Sequence, residues 1–191
     1  DEAIKAANSN TKTDGHRYYI FVPDGKYKLT GDDNGQTKIT KSNISIIGQS
    51  KEGTTIHNRP KKEGMSKTAT LYIEKNNTDF YAEDLTLENT FDYFAAGNAG
   101  QAVAFHDSGN RSIMKNVALK SYQDTYYSNN ANEDFRGYFE TCDFYGVVDF
   151  ICGNGNIWFE KCNLIHRDRD GNNIVAPSTE AAANGYSGQE W

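Results

Sequence analysis

The sequence is short of several residue types, and each shortage excludes a class of protein. Its 20 Lys+Arg are outnumbered by 26 Asp+Glu, for a net charge of −6. That balance argues against a nucleic-acid-binding domain, which needs a basic surface to neutralise phosphates. Three cysteines are too few for a disulfide framework. No apolar run approaches the roughly 20 residues that cross a bilayer. From the charge and from this lack of a long apolar run, we expect neither a nucleic acid nor a membrane as partner.

The first ten residues lack the pattern of a signal peptide, and the sequence does not begin with Met, so we expect a processed or trimmed chain. Leucine and proline are also scarce, with 6 Leu and 3 Pro against 13 Ile, 12 Tyr and 10 Phe. β-Branched and aromatic residues favour strands, which predicts an all-β fold after a short helical stretch over residues 1–8. A chain of this length buries a core within one domain. Because no linker or charge block interrupts it, we predict a single domain over residues 1–191.

One phrase occurs four times: two hydrophobic residues, a short polar stretch and an alternating strand. The copies are FYAEDLTL (80–87), SIMKNVAL (112–119), GYFETCDF (137–144) and IWFEKCNL (157–164). Aligning Asp84, Asn116, Cys142 and Cys162 gives spacings of 32, 26 and 20 residues. Irregular repeats of this length predict a β-solenoid, in which each coil buries its apolar face against the next. A β-sandwich or jelly roll is the alternative, but its strands need not resemble one another.

Four polar residues in apolar surroundings are separated by about one repeat. Gln101 and Gln123 are 22 residues apart, and Asp124 and Asp149 are 25 apart. Stacked coils bring residues one repeat apart to within about 4.8 Å of each other. The four side chains are therefore predicted to form one cluster across three coils, if Gln123 and Asp124 lie at a strand end. We interpret VVDFI (147–151) as a strand. A carboxylate among apolar residues of a strand requires a charged or hydrogen-bonding partner, or it has a functional role.

This cluster has the chemistry of a hydrolytic site. Two carboxylates one strand spacing apart do not ionise together easily, so one keeps its proton while the other stays ionised. Such a pair supplies an acid and a nucleophile or base, and two amides can donate hydrogen bonds to a developing oxyanion. No Ser, His or Cys has a matching register for a hydrolytic triad. The cluster therefore predicts hydrolysis by carboxylates.

The segments that carry these residues resemble the pectin methylesterase (pectinesterase) family of carbohydrate esterases, bacterial type. The resemblance implies a right-handed parallel β-helix that is secreted and needs no cofactor and no metal. It also implies hydrolysis of galacturonate methyl esters in pectin, with release of methanol. QAVA, YQDT and VDFI, in that order, are its most specific motifs. The matching segments are FVPDGKYKLT (21–30), IIGQSKEGTTI (46–56), DLTLENT (84–90), GQAVAFHDSGNRSIMKNVALKSYQDTYY (100–127) and YFETCDFYGVVDFICGNGNIWFEKCNLI (138–165).

Carried over by motif, the resemblance makes Asp149 the nucleophile that attacks the ester carbonyl. Asp124 becomes the general acid for the leaving group and then the base that activates water. Gln123 and Gln101 stabilise the tetrahedral oxyanion, and Gln101 also orients Asp124. The implied partner is methyl-esterified pectin (homogalacturonan), and we expect a monomer that is secreted, periplasmic or at the cell surface.

Substrate-binding positions of the family fall at Tyr127, Val148 and Cys152, and Cys152 stands where an aromatic residue is common. Phe94 lies in a loop-like stretch before Gln101 and is a further candidate for the sugar groove, because aromatic faces pack on sugars. His106 and His166 have no carboxylate or cysteine at ligand spacing. We predict that both histidines are surface residues near coil ends.

Cys142 and Cys162 occupy the same point of the repeated phrase. They either form a disulfide between neighbouring coils or stack as buried small hydrophobic residues. The resemblance favours the disulfide, because bacterial-type members bridge these positions. Cys152 is predicted to be a free thiol.

The family pattern continues beyond this sequence with an Arg-Pro-Trp motif, in which the arginine hydrogen-bonds the nucleophile. We therefore expect an incomplete solenoid, cut at both ends. Two alternatives stay open on the sequence. One is another pectin-active β-helix enzyme, a lyase or polygalacturonase, although neither carries paired glutamines. The other is a non-catalytic or impaired carbohydrate-binding β-helix.

Overall fold

Short strands, all paired in parallel, wind around one core. The computed structural model describes residues 1–11, 15–97, 100–130, 135–167 and 173–178. A helix, α1 (Glu2–Asn8), precedes the strands and buries Ile4 and Ala7. The strands stack into three faces, and the chain passes from one face to the next as it forms each coil. This arrangement confirms the predicted parallel β-helix.

Face 1 and face 2 belong to one continuous sheet, because two of its strands extend over both faces. Face 1 consists of β1 (Tyr18–Val22), β4 (Ile44–Gly48), the first part of β7 (Tyr81–Asn89), the first part of β9 (Ser112–Lys120), β11 (Arg136–Glu140) and β14 (Asn156–Glu160). Face 2 consists of β2 (Gly25–Lys28), β5 (Thr54–Asn58), the second parts of β7 and β9, β12 (Asp143–Gly146) and β15 (Asn163–His166).

Face 3 is a separate sheet of six strands, each of three residues. In spatial order they are β3 (Thr37–Ile39), β6 (Leu71–Ile73), β8 (Phe105–Asp107), β10 (Tyr126–Ser128), β13 (Ile151–Gly153) and β16 (Val175–Pro177). In such short strands only the central side chain points outward, because successive side chains alternate between the two sides. Face 3 therefore presents one outward row of side chains.

The chain turns from face 1 to face 2 at residues with a left-handed backbone. Their φ angles are 55° at Asp84, 50° at Asn116, 53° at Thr141 and 53° at Lys161. Asp and Asn tolerate this conformation best, and here Asn116 Nδ2 donates a 2.6 Å hydrogen bond to Asp84 Oδ1. The bends thus stack from coil to coil.

The alignment of Cys142 with Asn116 was wrong by one residue. Asp143 pairs with Ala118, and Glu140 pairs with Lys115, so Cys142 is level with Val117. Thr141 and Lys161 are the true counterparts of the Asx residues at the earlier bends. The repeated phrase hid this shift because Thr141 is polar and Cys142 is small.

The predicted disulfide is not present, because Cys142 and Cys162 are free thiols in the structure. The two cysteines do lie in neighbouring coils. The backbone carbonyl oxygen of Cys142 accepts a 2.9 Å hydrogen bond from Asn163 N. The Cys142 Sγ is 3.4 Å from the Glu140 carbonyl, and the Cys162 Sγ is 3.4 Å from the Phe139 carbonyl. The interaction with Cys142 lowers the pKa of the Cys162 thiol. The two thiols therefore stack in neighbouring coils, and each sulfur contacts backbone carbonyls.

The core is filled by rings that stack along the axis of the helix. Phe105 lies 5.8 Å from Phe80 and 6.0 Å from Tyr126, and Tyr126 meets Phe139 edge-on at 4.9 Å. Each of these four side chains is at most 3% exposed. Aromatic burial of this kind supplies both hydrophobic free energy and specific ring packing, which fixes one coil on the next.

Buried amides secure the connections that lead into face 3. Asn58 Nδ2 donates to the carbonyls of Gly35 and Thr68, and Asn89 Nδ2 donates to those of Thr68 and Val103. Satisfying these carbonyls avoids the cost of burying them unpaired. Asn89 thereby ties the backbone at Val103, just after Gln101, to Thr68 of the preceding coil. No helix in the described part of the chain is long and apolar enough to cross a membrane.

Candidate active site on the outer side of face 3

The predicted cluster forms where the strands of face 3 begin. Gln101 pairs with Gln123, and Gln123 pairs with Val148, through parallel backbone bridges. Asp124 N donates to the Val148 carbonyl at 3.1 Å, so Asp124 and Asp149 follow this row in neighbouring coils. Asp149 N in turn donates to the Asn173 carbonyl at 2.7 Å. Backbone hydrogen bonds therefore hold both aspartates and both glutamines in register across three coils.

Both aspartates have a left-handed backbone, with φ of 58° at Asp124 and 46° at Asp149. Such angles are uncommon for residues other than glycine and concentrate at turns and functional sites. Here they interrupt strand alternation, which lets adjacent Gln123 and Asp124 both contribute to one site. The interpretation of residues 147–151 as a continuous strand was wrong, because β13 begins only at Ile151, after the turn at Asp149.

The surroundings of Asp124 favour its protonated form on balance. Its side chain is almost completely buried. Burial raises the pKa of Asp124 to about 7, and the charge of Asp149 adds to the increase. Interactions with Cys152 and Gln101 act in the opposite direction. Oδ2 of Asp124 is buried and has no hydrogen-bond partner among the described residues, so its hydrogen-bonding capacity is unsatisfied in the free protein. Asp149 is only partly buried, which leaves it accessible.

The amide of Gln123 is oriented by the backbone. Gly100 N donates a 3.3 Å hydrogen bond to Gln123 Oε1, which leaves the Nε2 hydrogens free for a ligand oxygen. The backbone of Gln101 is held on both sides: its N–H donates to Glu63 Oε2 at 3.0 Å, and its carbonyl accepts from Gly64 N at 2.8 Å. A fixed amide donor such as Gln123 Nε2 is suited to stabilise an oxyanion.

The outward row of face 3 contains a stack of rings beside the aspartates. Tyr127 is in register with His106, which is in register with Tyr72. The His106 ring lies 4.5 Å from the Tyr127 ring and 4.2 Å from the Tyr72 ring. The prediction that His106 is a surface residue was wrong, since it is 4% exposed. Burial lowers the pKa of His106 to about 3, so its ring is neutral.

The remaining predicted substrate-binding residues lie around the same cluster. Val148 is half-buried and level with Gln123, and Cys152 is the next outward residue beyond Tyr127 along face 3. Phe94 is 48% exposed and meets the Tyr122 ring edge-on at 5.0 Å, beside Gln123. It lines a cavity of about 250 Å³ together with Arg59, Phe91, Tyr122 and Arg167.

Sequence reasoning missed Glu63 and the role of His106. Glu63 lies in a loop outside every repeated phrase, so nothing in the sequence indicated its contact with the Gln101 backbone. The described residues contain no group of three or more His, Cys, Asp or Glu side chains that could hold a metal ion. The candidate site therefore consists of two carboxylates, two amides and a row of rings.

The fold and this site define a β-helical protein with a paired-carboxylate site on one outer face. The profile described as Pectinesterase matches residues 1–188, and the chain belongs to that family. Pectinesterase 2 of Citrus sinensis is 32% identical over 170 residues, which cover 87% of this chain and 29% of that protein. Pectinesterase 1 of Solanum lycopersicum is 32% identical over 168 residues, or 87% of this chain and 28% of that protein.

Solved structures agree with the family. A pectin methylesterase from Yersinia enterocolitica is 31% identical with a TM-score of 0.77, covering 92% of this chain and 60% of that one. A pectin methylesterase in complex with a hexasaccharide is 27% identical with a TM-score of 0.79, covering 95% and 58%. The chain thus spans less than a third of these curated relatives and about three fifths of these solved chains. These matches give no support to a lyase, a polygalacturonase or a non-catalytic protein.

Proposed function

We propose that the protein hydrolyses methyl esters of galacturonate in pectin and releases methanol. The observation that carries this proposal is the pair of aspartates in neighbouring coils, one buried with its pKa raised to about 7 and one accessible, with two amides in register beside them. Family membership supports the same reaction.

In the first half of the reaction, a carboxylate oxygen of Asp149 attacks the ester carbonyl carbon. The developing oxyanion accepts hydrogen bonds from the Nε2 groups of Gln123 and Gln101. Protonated Asp124 gives its proton to the methoxy oxygen as the C–O bond breaks, so methanol leaves. The products of this half are an acyl-enzyme on Asp149 and ionised Asp124.

In the second half, Asp124 takes a proton from water while the water oxygen attacks the acyl carbonyl. Collapse of the second tetrahedral intermediate returns Asp149 as a carboxylate and frees galacturonate. The electrostatics favour this exchange of roles. Acylation removes the negative charge of Asp149, and that charge is one of the causes that keep Asp124 protonated in the free enzyme. Asp124 is therefore a stronger acid in the acyl-enzyme, where it has to be ionised.

The outward row of face 3 gives a polymer a surface on which to lie. Tyr72, His106 and Tyr127 form a continuous stack that leads away from the aspartates towards the first coils. Ring faces pack well on the apolar faces of sugars. A solved relative is a pectin methylesterase in complex with a hexasaccharide, which supports an oligosaccharide as the ligand. We place the protein outside the cytoplasm, where its substrate lies, and expect it to act as a monomer.

The test uses the full-length protein and methyl-esterified homogalacturonan, with methanol release as the readout. Asp149→Asn should lower kcat by at least about a thousandfold, because it removes the nucleophile but keeps the side-chain shape. Asp33→Asn is the matched control, since Asp33 is an exposed carboxylate outside the site. Undiminished release by Asp149→Asn, or no release by the wild type, would contradict the proposal.

A further inference from the structure

The outward row of face 3 ends on a lysine at the end of the groove away from the aspartates. Lys38 is the central residue of β3 and is in register with Tyr72 on β6. From there the row continues over β8 and β10 to Cys152 on β13. Four strand spacings of about 4.8 Å put Lys38 about 19 Å along the axis from the coil of Asp149. A polymer that lies on this row with an ester at the aspartates therefore also passes Lys38.

The backbone of Lys38 is fixed, while its amine stays accessible. Asn8, the last residue of α1, donates from Nδ2 to the Lys38 carbonyl at 2.8 Å and accepts from Thr40 N at 2.9 Å. These two bonds hold β3 in place at the end of its sheet. The Lys38 amine lies 5.9 Å from the centre of the Tyr72 ring, within the range of a cation–π interaction. The lysine therefore extends the row of rings with a positive charge.

Within the part of the chain that the structure describes, the ion-pair partner of Lys38 is Glu74. Nζ lies 3.3 Å from Glu74 Oε1, and the two side chains are 45% and 35% exposed. An ion pair this exposed contributes little to stability, because water screens it. An ammonium group has three donors, and the contact with Oε1 engages one of them. The others can donate to a carboxylate of a ligand without breaking the pair.

The charge of the chain is divided along the same direction. Residues 1–75 contain 13 Lys and Arg against 9 Asp and Glu, whereas residues 76–191 contain 7 against 17. Because the β-helix stacks its coils in chain order, the first coils carry a positive charge and the later coils a negative one. Lys38 lies in the positive part, and both aspartates of the candidate active site lie in the negative part. The later coils therefore repel free carboxylates, whereas the first coils attract them.

We propose that Lys38 binds the ionised carboxylate of a galacturonate unit whose ester has already been removed. The groove then takes a partly hydrolysed polymer in one orientation, with free carboxylates over the first coils and the next methyl ester at the aspartates. Esters are uncharged, so the acidic later coils accept them more readily than they accept carboxylates. This inference rests on the proposed function, because that reaction leaves esters and free carboxylates on one polymer. Lys38 is thus a specificity-determining residue remote from the reacting atoms.

Calorimetric titration of the full-length protein with a fully de-esterified oligogalacturonide tests the contact apart from catalysis. Lys38→Met keeps the length of the side chain and removes its charge, whereas Lys38→Arg keeps the charge. At low salt, Lys38→Met should raise Kd by about three- to fivefold, the upper range for one exposed ion pair, and Lys38→Arg should stay near the wild type. The difference should nearly vanish at about 1 M salt, where the screening length is about 3 Å. Lys26→Met removes an exposed charge from β2 on face 2 and is the matched control, with Kd unchanged.

Methanol release from pectin of high and of intermediate methylation gives the second readout. Lys38→Met should raise KM by about three- to fivefold for the partly methylated polymer and much less for the highly methylated one. The effect should fall on KM rather than on kcat, because the contact is remote from the reacting atoms. Equal losses in Lys38→Met and Lys26→Met, or the same change of KM on both polymers, would overturn the inference and leave the proposed function intact. Binding through Lys38 in a protein that releases no methanol would instead refute the proposed function and leave the carboxylate site in place.

Discussion

The buried carboxyl group of Asp124 should make the protein less stable at neutral pH, and Asp124→Asn should remove that cost. In the unfolded chain the pKa of Asp124 is near its ordinary 3.8, whereas burial raises it to about 7 in the folded protein. Between these values the folded state holds a proton that the unfolded state has released. Stability attributable to Asp124 therefore falls as pH rises from about 4 to about 7, and it changes no further above that range.

The magnitude follows from the difference in pKa. About three units at about 1.4 kcal/mol per unit give a ceiling near 4 kcal/mol at pH 7.5. Relaxation around the site reduces such a ceiling, so we expect Asp124→Asn to be about 2–4 kcal/mol more stable than the wild type at pH 7.5. At pH 4 the gain should nearly vanish. Asparagine also tolerates the left-handed backbone of this position, so the substitution adds no conformational strain.

Urea unfolding at pH 4 and pH 7.5 measures this directly, because groups that titrate equally in both proteins cancel in the difference. Buried Asp107, whose pKa is raised to about 6 by desolvation, is one such group. The same variant should lose methanol release, which separates stability from activity. A stability difference that is the same at both pH values would refute the reasoning, since it would mean that Asp124 does not hold an extra proton in the folded state.

Three further predictions concern the amide, the buried histidine and the core. Gln123→Ala should lower kcat by about 10²–10³-fold with little change in KM, because in the proposed reaction its Nε2 donates mainly to the oxyanion; steady-state methanol release checks this. The low pKa of His106 means that stability is lost as pH falls from 6.5 towards about 3. In urea unfolding, the free energy of unfolding of His106→Phe should exceed that of the wild type by up to about 3 kcal/mol at pH 4 and by little at pH 7.5. Phe139→Ala should cost about 3–5 kcal/mol at any pH, because Phe139 is 1% exposed and packs on the neighbouring rings; a loss below 1 kcal/mol would contradict the core described above.

Much of the site was predictable because a β-helix converts sequence spacing into spatial proximity. The 22 residues from Gln101 to Gln123 form one coil, and the backbone bridge between them confirms the predicted neighbours. The 25 residues from Asp124 to Asp149 form the next, and both residues precede a strand of face 3 at the same level. The neighbours in these two coils could therefore be predicted without knowing the structure of the loops between them.

Where two successive coils differ in length by one residue, sequence spacing alone gives the wrong neighbours. Gln101 pairs with Gln123, yet Phe105 pairs with Tyr126, so the first of these coils has one residue more between the two pairs. Counting from Gln101 would place His106 level with Ser128, whereas the structure places it against Tyr127. The turn at Asp149 was missed for a related reason, since valine and phenylalanine on either side are typical of a strand and only the backbone angle marks the bend.

The assembly of the site from three coils also determines which insertions and deletions the protein tolerates. A change of length at the exposed residues 95–97 lies between face 2 and face 3, and it leaves the paired strands on either side in place. A deletion of one residue between Gln123 and Tyr126 would instead rotate the carboxyl group of Asp124 away from the groove. Loop length can therefore change at such exposed stretches, whereas the proposed reaction requires a constant count of residues from Gln123 to the strand that follows it.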